Sequence, residues 1–238
     1  MRTIAEFTET AGMESECRSR DCETVVTALS VCGQLIVPYC DECEERKQKG
    51  IIQRRLKDAK DAAANRYQSI LRRFPAYDPE KTRWSEISEE IKTACSAWMD
   101  RDDESKGLCL AGTTGSGKTR AVFGLMARLA AQGVIVGYRT HIEIAELGAA
   151  AACGDASAAM KLDEFKKSAV VVIDDLGKAS PTDRANQTLY ALIEHCTTRG
   201  KPIIFTSQAR GEWLIDRFGQ DAGEAIVRRL AEFCIKDA

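Results

Sequence analysis

The feature that most constrains this chain is the octapeptide G-T-T-G-S-G-K-T at Gly112–Thr119. It fits the pattern G-x-x-x-x-G-K-[S/T], in which the backbone N–H groups of a glycine-rich loop surround a phosphate. A short apolar run, residues 107–111, precedes it, and residues 121–132 carry apolar side chains at helical spacing. Strand, glycine loop and helix are the geometry that phosphate binding requires, because the helix N-terminus adds partial positive charge. The sequence therefore predicts a nucleoside triphosphate site.

The residue types in this loop predict separate roles in binding ATP and Mg²⁺. Lys118 is expected to reach the β- and γ-phosphates, and the hydroxyl of Thr119 is expected to bind Mg²⁺. The backbone around them contributes the remaining phosphate contacts. The predicted nucleotide-binding residues are Gly112, Thr113, Thr114, Gly115, Ser116, Gly117, Lys118, Thr119 and Arg120.

A second apolar strand ends in two adjacent carboxylates, as expected for a Walker B strand. Residues 169–173 are apolar and mostly β-branched, and they are followed directly by Asp174 and Asp175. Asp174 is predicted to bind Mg²⁺, usually through water, and Asp175 to orient and polarise the attacking water. The alternative, a buried strand that happens to end in a polar turn, does not explain a P-loop upstream.

A third strand, predicted over residues 201–208, ends in polar residues. A strand placed between the two strands described above would bring these residues beside the γ-phosphate. Gln208 is the predicted sensor of the γ-phosphate or of the attacking water, with Thr206 and Ser207 as alternates. The competing interpretation is that Gln208 only caps the strand.

The composition indicates a folded protein outside the membrane. Hydrophobic residues make up 44% and charged residues 29%, and the net charge is −2, so charge alone predicts no nucleic-acid partner. No apolar run approaches the ~18 residues that span a bilayer, and the N-terminus lacks the apolar core of a signal peptide. We therefore expect a soluble, cytoplasmic protein. Residues 44–74 are strongly basic and helical, which fits either a solvated linker or a face for nucleic-acid phosphates.

Five of the ten cysteines lie within the first 43 residues, after a polar lead-in, residues 1–16, that we expect to be poorly ordered. Clustered thiols in a reducing compartment favour a metal site over disulfides. A C-x2-C pair and an upstream C-x4-C pair, separated by a predicted β-hairpin, suggest a structural Zn²⁺ site. The predicted ligands are Cys17, Cys22, Cys40 and Cys43, with Cys32 as a possible replacement and unmetallated thiols as the alternative.

The last ~135 residues resemble the AAA+ ATPase core of the DnaC/DnaI helicase loaders and of the IstB transposition ATPases. The resemblance rests on four motifs: G-T-T-G-S-G-K-T, V-V-V-I-D-D-L-G, P-I-I-F-T-S-Q and, at Gly223–Leu230, G-E-A-I-V-R-R-L. It implies an α/β P-loop NTPase of the ASCE, AAA+ type, with a central parallel sheet flanked by helices and no lid. We expect a zinc-ribbon-like domain at residues 1–50, a basic helical linker at 51–103 and the ATPase at 104–238.

The sequence departs from this family at two positions. Gln208 stands where the family usually has Asn, so its reach toward the γ-phosphate is altered. Arg228 stands where the terminal helix usually has Asp, and Arg229 aligns with the family's Arg. Either arginine is therefore a candidate finger for a neighbour's γ-phosphate, and the alternative is an ordinary surface cation.

The resemblance implies an ATPase that loads a hexameric replicative helicase onto single-stranded DNA and self-associates through its ATP sites. The alternative within the family is an IstB-like ATPase that binds duplex DNA and recruits a transposase. A protein in which ATP is only a structural switch is disfavoured by the intact pair Asp174 and Asp175. A nucleotide kinase is disfavoured because kinases lack this combination of Walker B strand and terminal helix.

Overall fold

The computed structural model describes residues 8–19, 21–31, 34–36, 39–80, 84–208 and 211–234. The chain divides into two compact units, Met1–Asp58 (unit 1) and Ala59–Ala238 (unit 2). One long helix, α1 (Asp41–Arg73), crosses the boundary between them. The division of the chain into parts at residues 50 and 103 stays a prediction. None of the helices in the described ranges is long and apolar enough to cross a membrane.

Unit 1 contains a three-stranded antiparallel sheet in the order β1-β2-β3. Its strands are β1 (Thr8–Glu16), β2 (Val25–Val31) and β3 (Gln34–Ile36). The expectation of a poorly ordered lead-in was therefore wrong for residues 8–16. This segment has few apolar residues, but its backbone pairs with β2 in two stretches separated by an irregularity between Thr10 and Glu14. Strand pairing satisfies backbone groups whatever the side chains, which is why composition missed it.

The predicted hairpin between the two cysteine pairs is present as the antiparallel pair β2–β3. After it, α1 begins with three acidic residues in its first turn and ends with Arg72 and Arg73 in its last. Both charge placements complement the helix dipole. Much of the helix between them is exposed and charged, so a periodic apolar face does little to define it.

Unit 2 is built on a four-stranded parallel sheet in the order β4-β7-β6-β5. The strands are β4 (Leu108–Ala111), β5 (Val136–Thr140), β6 (Val170–Leu176) and β7 (Ile203–Ser207). The strand β7 lies between the P-loop strand β4 and the Walker B strand β6, as the sequence predicted. Because all four strands run in one direction, their carboxyl ends meet at one edge of the sheet, where ligands bind in such folds.

In the part of unit 2 that the structure describes there are seven further helices. They are α2 (Glu89–Met99), α3 (Lys118–Ala131), α4 (His141–Ala152), α5 (Ala156–Lys167), α6 (Asp183–Thr197), α7 (Glu212–Phe218) and α8 (Gln220–Phe233). Short 3-10 turns at Pro75–Tyr77 and Trp84–Glu86 precede α2. Beside β4, Gly107 forms a parallel bridge with Cys234, just beyond α8.

Alternation along the strands divides the core of unit 2 into two layers. Val170 and Val172 of β6 pack in one cluster with α2 and α3. Val171 and Ile173 pack in the other with α6 and α8. Strands buried on both faces read as continuous apolar runs, which is the pattern of β6 in the sequence. The P-loop helix and the terminal helix therefore cover opposite faces of the same sheet.

The strand β5 begins two residues later than the apolar run 134–138 suggests. Its pairing with β6 runs from Val136 opposite Val170 to Thr140 opposite Asp174. Thr140 then ends the strand and caps α4 through a reciprocal capping box with Glu143. Within β5, Tyr138 lies opposite Val172, and its hydroxyl reaches along the sheet to Asp174.

Candidate functional site

The P-loop joins the carboxyl end of β4 to the first turn of α3. Gly115 and Gly117 have φ values of 88° and 90°, a left-handed conformation that side chains rarely adopt. A Cβ atom on Gly117 would also lie 2.9 Å from the backbone of Ile87. The N–H of Gly112 is bonded to the carbonyl of Ser207, which ties the loop to β7. The glycines are thus required by backbone geometry, as the motif predicted.

Lys118 lies within the concave side of this loop. Its ammonium group donates to the carbonyls of Gly112 and Thr113 at 2.7 and 2.8 Å and contacts Ser116 Oγ at 3.3 Å. Burial lowers the pKa of Lys118, and the nearby carboxylates of the Walker B strand partly oppose this shift. The lysine is therefore held at the loop, where a phosphate would offer stronger acceptors than the carbonyls do.

Asp174 is buried and is surrounded by hydroxyl groups from three elements. Thr119 donates to its two carboxylate oxygens at 3.2 and 3.1 Å, and Tyr138 donates to Oδ2 at 2.7 Å. Thr206 donates to Oδ1. Burial and the negative charge of Asp174 together raise the pKa of Tyr138. No motif in the sequence marks Tyr138, because an aromatic residue within an apolar strand is typical of the core.

The pair Thr119 and Asp174 fits the oxygen ligands that Mg²⁺ prefers. The hydroxyl and carboxylate oxygens lie within 3.2 Å of each other at the start of α3 and the end of β6. Mg²⁺ usually retains several waters and is held by one or two protein oxygens together with substrate phosphates. These two residues would hold the ion beside the P-loop.

Asp175 has a left-handed backbone, with φ of 56°, which is unusual for a residue other than glycine. Its N–H donates to Thr206 Oγ1 at 2.9 Å, and its carboxylate pairs with Lys178 at 2.9 Å. Thr206 therefore bridges the two acidic residues, since it also donates to Asp174. Because of this left-handed turn, the two adjacent carboxylates point in different directions. Asp174 is buried, and Asp175 lies on the wall of a cleft.

The polar tip of β7 distinguishes the three sensor candidates. Thr206 and Ser207 are buried and bonded to β6, at Asp174 and at the carbonyl of Leu176 respectively. Gln208 is exposed and lines the same cleft as Lys118 and Asp175. The geometry therefore favours Gln208 among the three for contact with a ligand.

The cleft has a volume of about 280 Å³. It contains most of the predicted nucleotide-binding residues together with two that the motifs do not include, Tyr77 and Lys178. Its lining residues are Tyr77, Thr114, Gly115, Gly117, Lys118, Thr119, Arg120, Asp175, Lys178 and Gln208. Arg120 forms an ion pair with Glu86 at the cleft's edge. Lys178 lies only three residues after Asp175 in the sequence, but it is outside the motifs and was therefore not predicted as a site residue.

The two arginines of α8 differ in their surroundings. Arg229 is partly buried and pairs with Glu194 of α6 at 3.0 Å, with Glu232 4.0 Å away. Arg228 is exposed, on the solvent side of the helix. Neither lines the cleft of its own chain. Arg228 is therefore the more available of the two for a neighbouring molecule.

In unit 1 the four predicted zinc ligands come together. The sulfur atoms of Cys17, Cys22, Cys40 and Cys43 all lie within 4.8 Å of one another. Four thiolates on a tetrahedral Zn²⁺ are about 3.8 Å apart, so small shifts suffice to bind the ion. The N–H of Cys40 donates to Cys17 Sγ at 3.2 Å, a contact that stabilises a thiolate. The set fits Zn²⁺; Cys32 lies outside the described residues.

Comparison with known proteins places the chain in a family. The family model of IstB-like ATP binding proteins matches residues 46–236. No match was found among curated proteins. Among solved structures, the DnaC helicase loader is 22% identical, with 68% of this chain and 96% of that chain covered at a TM-score of 0.52. DnaI is 22% identical, with 66% and 84% covered at a TM-score of 0.50.

The replication initiator DnaA bound to AMPPCP and single-stranded DNA is 17% identical, at a TM-score of 0.47. The match covers 60% of this chain but only 47% of that structure. The likeness to DnaC and DnaI extends to the fold, while the family match spans well over half of the sequence. The chain belongs to the IstB-like ATP-binding protein family.

Proposed function

We propose that this ATPase loads a replicative helicase onto single-stranded DNA, in the manner of the DnaC and DnaI loaders that its sequence resembles. The observation that carries the proposal is the four-thiol cluster in a compact unit ahead of the ATPase. In loaders of the DnaI layout, a small zinc-binding domain at this position engages the helicase. Unit 1 is accordingly proposed as the helicase-binding part.

Each cleft residue would have a separate role in hydrolysis. Lys118 would exchange its loop carbonyls for the phosphate oxygens, and Thr119 and Asp174 would hold Mg²⁺. The bound ion would neutralise charge on the phosphates. Asp175, aimed into the cleft by its left-handed backbone, would orient the attacking water. Gln208 would contact the water or the γ-phosphate. The chemistry needs mainly positioning and charge stabilisation.

A second molecule would complete the site by supplying Arg228. This arginine is exposed on α8 and does not line its own cleft, whereas Arg229 is held by Glu194. An arginine finger in trans stabilises charge on the transferred phosphoryl group and makes turnover depend on assembly. The protein alone at low concentration is therefore expected to turn over slowly.

A basic cleft in unit 2 supports contact with a nucleic-acid backbone. It has a volume of about 530 Å³ and includes Arg66, Arg73, Arg139 and Lys161 together with three acidic residues. Arg73 pairs with Glu143, one of those acids. Burial and the like charge of Arg73 lower the pKa of Arg139. Phosphate contacts of this kind bind DNA without reading its sequence.

The test is the steady-state ATPase rate as a function of protein concentration, with no DNA, with single-stranded DNA and with duplex DNA. A loader is expected to show a rate that rises more steeply than linearly with protein and is stimulated by single strands. A flat and negligible rate under all three conditions contradicts hydrolysis-driven loading. Pull-down of a hexameric helicase by wild type, and its loss in a variant lacking unit 1, tests the partner separately.

Complementation between two inactive variants tests the trans arginine. Arg228→Ala retains its own cleft, and Lys118→Ala retains its Arg228. Mixing them is expected to restore part of the ATPase rate, because mixed assemblies contain an intact cleft beside an intact arginine. Arg229→Ala is the matched control, expected to affect stability through Glu194. Recovery with Arg229→Ala but not with Arg228→Ala would reverse the assignment.

The alternative is an IstB-like transposition ATPase that binds duplex DNA and recruits a transposase. The observation that favours it is the family model, which carries the IstB name and matches residues 46–236. Stimulation of the ATPase by duplex DNA alone would support this function over helicase loading. The basic cleft is compatible with either DNA form, because single strands and duplexes both present backbone phosphates.

A further inference from the structure

The segment after the Walker B strand is fixed by four hydrogen bonds that flank a single residue, Lys178. His141 Nδ1 accepts the N–H groups of Gly177 and Ala179, both at 3.2 Å. Arg217 donates to the carbonyls of the same two residues, at 2.7 and 3.3 Å. Residues from α4 and α7 thus hold the backbone on both sides of Lys178.

His141 is suited to this contact only in its neutral form. It is 2% exposed, and burial together with the charge of Arg217 lowers its pKa to about 4. A neutral imidazole with its proton on Nε2 leaves Nδ1 free to accept. Among the described residues Nε2 has no hydrogen-bond partner. Burial of the ring thus leaves Nε2 without a hydrogen-bond partner among the described residues. Nδ1 contacts the backbone beside Lys178, and the ring packs against the ring of Phe218.

The fixed backbone directs Lys178 toward the nucleotide cleft. Its ammonium group lies 2.9 Å from a carboxylate oxygen of Asp175, and its side chain lines the cleft with Lys118 and Gln208. The side chains of Lys178 and Lys118 both line this cleft, so two ammonium groups face the same space. An anion bound between two ammonium groups relieves their repulsion.

We propose that Lys178 binds the terminal phosphate of the nucleoside triphosphate, and that His141 and Arg217 are its positioning residues. On binding, the ammonium group exchanges its ion pair with Asp175 for the phosphate, which releases the Asp175 carboxylate to orient water. A diphosphate lacks the terminal group, so the lysine then stays on Asp175. Lys178 thereby distinguishes ATP from ADP. This inference rests on the proposed nucleotide site.

The first test compares the affinities of a non-hydrolysable ATP analogue and of ADP, each with Mg²⁺, by calorimetry. Lys178→Met is expected to weaken the affinity for the triphosphate analogue by about tenfold, which corresponds to the loss of one charge-assisted contact. The affinity for ADP is expected to change by less than about twofold. Lys178→Arg retains the positive charge and is expected to preserve most of the preference. Lys167→Met, an exposed lysine of α5, is the control.

Equal losses for the two nucleotides, or none for either, would overturn the role of Lys178. Failure of the wild type to bind either nucleotide would instead remove the proposed site itself. The two failures are therefore distinguishable. Lys178 is partly exposed, so its replacement is not expected to prevent folding.

The second test addresses the positioning residues. His141→Leu removes the acceptor, whereas His141→Asn offers a side-chain oxygen in its place. We expect His141→Leu to reduce the ratio of ATP to ADP affinity and His141→Asn to restore part of it. In the Lys178→Met background the His141→Leu change is expected to have no further effect on that ratio. An equal effect in both backgrounds would show that His141 acts on the site without Lys178.

Discussion

The two candidate sites differ in what holds them in place. In unit 2, Asp174 is 2% exposed, and the three hydroxyl groups around it come from separate elements that pack in the core. In unit 1, the buried side chains among those described are Cys17 and Cys43, two of the zinc ligand candidates themselves. The core of unit 2 therefore positions its site, whereas the buried side chains in the described part of unit 1 belong to the cysteine cluster itself.

Removal of the metal is expected to produce the largest effect and to be confined to unit 1. Structural zinc sites contribute about 10–16 kcal/mol to folding in small peptides, far more than a segment of this size gains by burial. A chelator, or the variant Cys43→Ser, should abolish the protection of unit 1 amides. Hydrogen exchange resolved by mass spectrometry measures this, together with the zinc content of the purified protein.

Cys153→Ser is the matched control, because Cys153 is an exposed cysteine outside the cluster. Amides of unit 2, including those of the P-loop, should keep their protection in both variants. The difference proposed between the two units would be contradicted if the amides of unit 1 kept their protection without metal. It would also be contradicted if the chelator exposed unit 2 to the same extent.

Loss of the Asp175 carboxylate should affect chemistry and leave folding intact. Asp175→Asn is expected to bind ATP at least as tightly as the wild type, because Lys178 loses its competing ion pair, but to lower the turnover rate by about 10²–10⁴-fold, the range for loss of a positioned base. Its side chain lies on the wall of the cleft, so no core contact is lost. Single-turnover hydrolysis and nucleotide affinity measure the two parts. Asp163→Asn, on an exposed part of α5, is the control, and retained turnover would remove Asp175 from the catalytic role.

Motifs and alternation predicted the parts of the molecule that chemistry and burial both determine. The P-loop and the Walker B strand were visible because glycines, adjacent carboxylates and apolar runs leave strong local signals, whereas the position of β7 between them was expected by analogy with ASCE-type ATPases. The convergence of the cysteines was also predicted from spacing. In each case a residue type performs a task that few others perform, so its position carries information.

The sequence could not identify contacts whose partners lie far apart along the chain. Tyr138 lies opposite Val172 on the neighbouring strand and its hydroxyl reaches Asp174, and nothing local in the sequence marks that register. His141 and Arg217 meet the backbone beside Lys178 from 36 to 40 residues away in sequence. The environment that separates Arg229 from Arg228 likewise depends on Glu194 of another helix. Such roles follow from tertiary packing and not from residue type.

The buried histidine of unit 2 predicts a measurable pH dependence of stability. The pKa of His141 is about 4 in the folded chain and near 6.5 when unfolded, so the unfolded chain binds the proton first as pH falls. Stability is therefore full above about pH 6.5 and falls by about 3 kcal/mol toward pH 4. Urea unfolding of unit 2 across this range should show the decline in wild type. In His141→Asn this decline in the free energy of unfolding should be absent. A variant whose stability falls with pH as steeply as that of the wild type would contradict the prediction.

The smallest expected effect concerns the third hydroxyl on Asp174. Tyr138→Phe removes one hydrogen bond to a buried carboxylate that keeps its contacts with Thr119 and Thr206. We expect a loss of about 1–2 kcal/mol in the free energy of unfolding, measured by urea denaturation. Tyr190→Phe, on a more exposed tyrosine, is the control and should be nearly neutral.

The stability of Tyr138→Phe, measured with and without Mg²⁺ and ATP, tests whether the core of unit 2 or the bound ion holds Asp174 in place. If the core of unit 2 holds Asp174 in place, Tyr138→Phe should lower stability by the same amount with and without ligand, and Mg²⁺ affinity should change little. If the ion instead orders the carboxylate, ligand should restore the lost stability and the variant should require more Mg²⁺ for half-maximal ATP binding. The second result would mean that unit 2 depends on its metal to complete the site, as we expect for unit 1.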